Sequence, residues 1–101
     1  MNLNVWSGTG RLTKDVQMFK RGEHDVATFT IACNGHKDEV LFLACDLWRP
    51  GAVIEYLQKG KHVAVTGPLK MKSFTDKEGQ QRDRLVCDCK TLELLGSSPE
   101  F

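Results

Sequence analysis

The stretch Val40–Trp48, VLFLACDLW, carries two interleaved rows of side chains. At the two-residue period of a strand, Leu41, Leu43, Cys45 and Leu47 fall on one face and Val40, Phe42, Ala44, Asp46 and Trp48 on the other. The first row reads as core. The second places two aromatics six residues apart on a face shared with Asp46, a group that is costly to bury without a partner. His62–Phe74 repeats the arrangement: Val63, Val65, Gly67, Leu69 and Met71 alternate with Thr66, Pro68, Lys70, Lys72 and Phe74. Flat rings on a wet face, with Lys70, Lys72, Arg49 and Arg84 nearby, suit the stacking of bases and the tracking of phosphates. Each stacked base is worth roughly 1 to 3 kcal/mol, and the contact is tolerant of sequence. A duplex would offer no exposed base faces to such a platform.

Other chemistry is poorly served. His24, His36 and His62 fall in separate turns or strand starts and read as surface residues. No carboxylate pair recurs on a shared face, and there is neither a nucleophile signature nor a phosphate-binding glycine loop, so no enzyme and no cofactor is expected. Cys33, Cys45, Cys87 and Cys89 include no CxxC pair. Cys87 and Cys89 share a strand face with Leu85, which reads as burial of small apolar thiols and leaves a zinc site as the alternative.

The elements that must position these residues are short strands. Asn4–Leu12 is a first strand bent at Gly8 and Gly10. Trp6 shares their parity, as a core aromatic filling the space of the missing side chains or as a ligand contact. A polar turn at Lys20–Glu23 follows Phe19. Asp25–Asn34 alternates Ala27, Phe29, Ile31 and Cys33 against Thr28 and Thr30, and Asn34-Gly35 signals a hairpin into Val40–Trp48. Val53, Ile54 and Leu57 fall at helical spacing between Pro50 and Gly60, predicting a helix of two or three turns over Ala52–Gln58 that needs packing to persist. His62–Phe74 and Arg82–Leu92 follow as a hairpin around Asp76–Gly79, with Leu85, Cys87 and Cys89 inward and Arg82, Arg84, Asp88 and Lys90 outward. The class is all-β: a five-stranded Greek-key OB-fold barrel with one short helix between the third and fourth strands.

A chain of 101 residues with 41% apolar and 27% charged residues makes one domain, here residues 1–96, followed by a short flexible end at 97–101. No apolar run approaches a membrane span, and Met1 opens directly onto a strand, so a cytoplasmic protein without a membrane contact is expected. The net charge is only +1, from 14 basic and 13 acidic residues, so a polyanion partner must be met by locally concentrated cations.

Six motifs in order resemble the bacterial single-stranded DNA-binding protein family: GRLTKD at Gly10–Asp15, VATFTIA at Val26–Ala32, FLACDLWR at Phe42–Arg49, EYLQKG at Glu55–Gly60, TGPLKMKSF at Thr66–Phe74 and LELLG at Leu92–Gly96. The resemblance implies an OB-fold subunit of a homotetramer over which single-stranded DNA wraps during replication, recombination and repair. It implies Phe42, Trp48 and Phe74 as stacking aromatics and Lys70 and Lys72 as phosphate contacts. With Arg49 and Arg84, and with Trp6, Arg11, His36 and Lys59 as further positions, these are the candidate DNA contacts. Three departures stand out. The loop after the second strand is only Asn34–Asp38, with His36 the nearest substitute for a further stacking aromatic. The path after Trp48 is about two residues short, and the long linker with its acidic tip is missing, so tail-mediated protein partners are not expected. A primosomal-type accessory OB protein and a protein-binding or zinc-stabilised OB module are the alternatives.

Overall fold

The computed structural model describes residues 2–96; the flexible end expected at 97–101 lies outside the described residues. Eight strand segments follow in order: β1 (Trp6–Leu12), β2 (Gln17–Arg21), β3 (His24–Asn34), β4 (Val40–Trp48), β5 (His62–Gly67), β6 (Leu69–Thr75), β7 (Gln81–Asp88) and β8 (Thr91–Leu94), with a 3₁₀ helix at Gly51–Tyr56. They form one curled sheet in the order β6-β7-β4-β3-β1-β5-β8, with β2 paired to β3. All pairings are antiparallel except β4 with β7, where Ala44, Cys45 and Asp46 lie opposite Val86, Cys87 and Asp88. This is the OB-fold, with strands bent so that single segments serve two places in the sheet.

Two of the five expected strands are divided by such bends. His62–Phe74 breaks at Pro68, which has no N–H to give a ladder. Its first half pairs with β1 and β8 and its second with β7, so it joins the two ends of the sheet. The seam is held by backbone bonds from Asp88 N to Pro68 O (2.8 Å) and from Lys90 N to Thr66 O (2.8 Å). The Asn4 side-chain amide also donates to Leu69 O and accepts from Leu69 N. At the seam Gly67 lies so close to β7 that an added Cβ would overlap the Asp88 carbonyl oxygen and lie 2.9 Å from its carbon. Arg82–Leu92 divides likewise at Cys89 and Lys90 into β7 and β8.

Leu12, Phe29, Ile31, Leu43, Cys45, Leu57, Val63, Val65, Cys87 and Cys89 form the core. Trp6 is half-buried against it and lies over Gly8, where a Cβ would come 2.6 Å from the indole. That packing is what the core reading of Trp6 expects. Leu41, Met71 and Leu85, expected inside, are exposed. Their parity is right, but β4, β6 and β7 run past the end of the core, where no layer among the described residues faces them. The helix expected over Ala52–Gln58 is instead a six-residue 3₁₀ segment that buries none of its own residues. Its anchor is the next residue, Leu57, fully buried and accepting a hydrogen bond from Val16 N at 2.9 Å. To reach that place Leu57 leaves helical geometry (φ −91°, ψ 71°), which stops the helix.

Burial is the main force raising the pKa of all three core thiols: Cys89 is pushed up to about 11, Cys87 rises, and Cys45 rises further with Cys87 and Cys89 beside it. A thiol reagent is expected to label half-buried Cys33 first and Cys45, Cys87 and Cys89 only on unfolding. The folded state keeps a proton on Cys89 that the unfolded chain releases near the ordinary 9.0. Its contribution to stability is therefore complete below that value and lost as the pH climbs toward 11. Unfolding midpoints measured across that window are expected to fall.

Candidate nucleic-acid interface

Residues directly opposed on paired strands project to the same face of a sheet, so the register lays out the wet face row by row. Phe19, Val26 and Trp48 form one row across β2, β3 and β4. Gln17, Thr28, Asp46 and Asp88 form the next. Thr30, Ala44, Val86 and Lys70 follow, and beyond them lie Ala32 opposite Phe42, Arg84 opposite Lys72, and Arg82 opposite Phe74. Three predicted stacking rings thus share one surface. Phe42 is 64% exposed, Trp48 41% and Phe74 38%.

Each ring has a different setting. Phe42 stands at the edge of a groove of about 480 Å³ that also meets Lys14, Gln17, Thr28, Thr30 and Arg84. A second hollow of about 270 Å³ lies between Phe74, Lys72, Arg21 and Asp46, and it shares Thr28 and Arg84 with the first, so the two make one trough. The Arg84 guanidinium sits 4.8 Å from the Phe74 ring centre, a cation over one aromatic face. Phe74 is steadied from the hairpin tip, where the Asp76 carboxylate accepts from Arg82 Nε at 2.8 Å and from the backbone N–H groups of Glu78 and Gln80 at 2.9 Å. Those bonds, Arg82 foremost, hold the Asp76 carboxyl below its ordinary range. Trp48 meets the His24 ring edge-on at 6.3 Å, and Arg49 Nε lies 3.3 Å from His24 Nδ1. Arg49 adopts a left-handed backbone (φ 53°) with its N–H bonded to Asp25 O, which turns the chain away from the sheet after Trp48.

The middle of the face differs from a row of free cations. Asp46 is 2% exposed, and its partners come from three directions. Lys72 Nζ donates to Oδ2 at 2.9 Å, Lys70 Nζ lies 3.8 Å from the same oxygen, and Thr28 Oγ1 donates to Oδ1 at 3.3 Å. Lys70 also lies 3.9 Å from Asp88, which in turn pairs with Lys90 at 3.1 Å. Among the described residues Lys14, Arg21, Arg49 and Arg84 have no carboxylate within 4.0 Å.

A profile of the single-strand binding protein family matches residues 3–95. The chain belongs to that family. It is 41% identical over 86 residues to a single-stranded DNA-binding protein of Mycolicibacterium smegmatis, covering 72% of this chain and 52% of the relative. It is 36% identical over 98 residues to that of Treponema pallidum, covering 87% and 55%. Single-stranded DNA-binding protein 2 of Streptomyces coelicolor is 48% identical over 58 residues, covering 54% and 29%. The chain spans about half the length of the first two of these curated relatives.

In this member of the single-strand binding protein family, the turn after β3 has its left-handed residues at Lys37 (φ 55°) and Asp38 (φ 66°), not at Gly35. Glu39 N closes it onto His36 O at 3.2 Å, leaving His36 exposed at the tip. Arg11 lies across β3 from Phe42, paired with Ala32, and its guanidinium donates to Gly60 O at 3.0 Å. Lys59 is exposed, with its backbone N–H on Asp15 Oδ1. Sequence reading missed β2 and with it Phe19 and Arg21, which stack at 5.6 Å beside the Trp48 row. All five β2 residues are exposed, so the strand has no apolar alternation to betray it. Lys14 and Gln17 were missed for a related reason: they border the trough from the loop and strand preceding β3.

Proposed function

We propose that this chain is a non-catalytic, sequence-tolerant binder of single-stranded DNA. Its bases stack on Phe42, Trp48 and Phe74, and its phosphates are held by Arg84, Arg49, Lys70 and Lys72. The observation that carries this reading is the presentation of three exposed rings on one face, with a trough between Phe42 and Phe74 that has cations at its sides. The names of the relatives point the same way. Protection of exposed strands in replication, recombination and repair follows as the role. Assembly into a homotetramer belongs to the same reading, supported by apolar groups left in water at Leu3, Val5, Leu41, Met71 and Leu85.

Titration with oligo-dT is expected to quench Trp48 fluorescence, and Trp48→Phe is expected to abolish the signal while binding persists. Affinity should fall with salt, with a log–log slope of about −0.7 for each phosphate neutralised on a single strand. Duplex DNA of equal length should compete poorly. The absence of quenching and of binding at low salt, with the fold intact, would sink the proposal. Light scattering on the same sample reports whether four chains travel together.

A further inference from the structure

A carboxylate buried at the centre of a surface suited to a polyanion is an anomaly. Its neighbours on that face, Val26, Ala44 and Val86, are small apolar groups buried beneath longer side chains, and an apolar residue would serve the packing equally well. Burying a charge costs desolvation that an ion pair recovers at best in part, so stability gives little reason for an acid here. What Asp46 does change is the charge available to a ligand. Lys72 and Lys70 both face its Oδ2, and Asp88, directly opposite on β7, holds the other side of Lys70 with one buried carboxylate oxygen lacking a hydrogen-bond partner. Thr28 is the remaining polar group on the carboxylate. Lys70, Lys72 and Lys90 share two aspartates at the middle of the face, so two of their three charges are already met, while each ammonium keeps donors that can reach outward.

We propose that Asp46 competes with bound phosphates for Lys70 and Lys72, and so limits both the strength and the salt sensitivity with which the face holds a strand. The inference rests on the DNA-binding reading above. Asp46 is a positioning residue: it acts through the two lysines and touches no base. With Asp46 in place, a strand meets lysines whose charge is already largely neutralised, and gains little from them by counterion release. With Asp46 neutral, Lys72 meets phosphate as a free cation and Lys70 keeps only its 3.9 Å contact with Asp88.

The test compares the whole chain with Asp46→Asn, Asp88→Asn and Glu55→Gln by oligo-dT titration over a range of salt, with thermal unfolding of each variant. All three raise the net charge equally, but Glu55 is exposed on the 3₁₀ helix and serves as the control for net charge alone. Asp46→Asn is expected to bind roughly tenfold more tightly at low salt, with a slope steeper by about 0.7, the increment for one more phosphate neutralised. Asp88→Asn is expected to change both quantities in the same direction and by less. Glu55→Gln should leave the slope unchanged. A folded Asp46→Asn that binds no more tightly than the parent, or with an unchanged slope, overturns the proposal; if that variant does not fold, Asp88→Asn decides by the same criterion. A parent chain that binds no single strand instead removes the functional reading itself, and this inference with it.

Discussion

Replacing Gly67 with alanine is expected to destabilise the barrel by about 3 kcal/mol or more. The new methyl would overlap the carbonyl of Asp88 and crowd the N–H of Lys90, 3.1 Å away, and both are backbone. A flexible side chain could swing aside, but here β5 and β7 must part, and with them the bonds that close the seam. Overpacking of this kind usually costs about 1 to 3 kcal/mol even where side chains can adjust. In a domain of this size about 3 kcal/mol corresponds to a fall in Tm on the order of 15 °C. Thermal unfolding followed by circular dichroism measures it, and Gly22→Ala is the instructive comparison. Gly22 is left-handed (φ 65°) with open space around it, so its alanine variant suffers backbone strain of only about 1 kcal/mol.

Removing Phe42 and Trp48 together is expected to weaken binding of oligo-dT on the order of a thousandfold. Six strand residues separate them by about 20 Å, too far for one base to bridge, so each ring supports its own base. Losses of roughly 1 to 3 kcal/mol apiece then add, because sites so far apart share no partner. At about 1.4 kcal/mol for each tenfold, a midrange total of about 4 kcal/mol gives the stated factor. Both rings are exposed and outside the core cluster, so the unfolding midpoint should move little. The salt slope should also persist, since the cations are untouched. A double variant that binds as tightly as the parent would show that these rings do not hold the strand.

How much of this was legible depended on whether a residue's fate is settled by its own strand. The β3–β4 hairpin and the face carrying Phe42 and Trp48 were readable, because half-buried strands write their orientation as alternation. β2 was not, since an edge strand wet on both faces has no period to read. Leu41, Met71 and Leu85 were assigned the correct side and the wrong environment: alternation reports parity, whereas burial needs an opposing layer. Lys70 and Lys72 were singled out as cations, yet their pairing with Asp46 depends on the β4–β7 and β6–β7 registers together. The Asn34-Gly35 signal marked the right turn, but the left-handed positions fell three residues on, where Lys37 and Asp38 bear them without glycine. The helix was placed correctly and given the wrong pitch, because the core needs Leu57 in a conformation no α-helix supplies.

The parallel pairing of β4 with β7 has a consequence in time as well as in space. β3–β4 and β6–β7 are each closed by a five-residue turn, so they can form quickly as local hairpins, one carrying Phe42 and Trp48 and the other Phe74 and Arg84. Bringing Ala44 to Val86 must close a loop of some forty residues, and such non-local steps are the slow ones in β proteins. The rings are therefore expected to be in place before the surface is. A refolding chain is expected to make its hairpins before Asp46 meets its lysines and before the trough gains its second wall. On the proposed reading, competence to hold a strand is expected to arrive with the last long-range register, not with the first secondary structure.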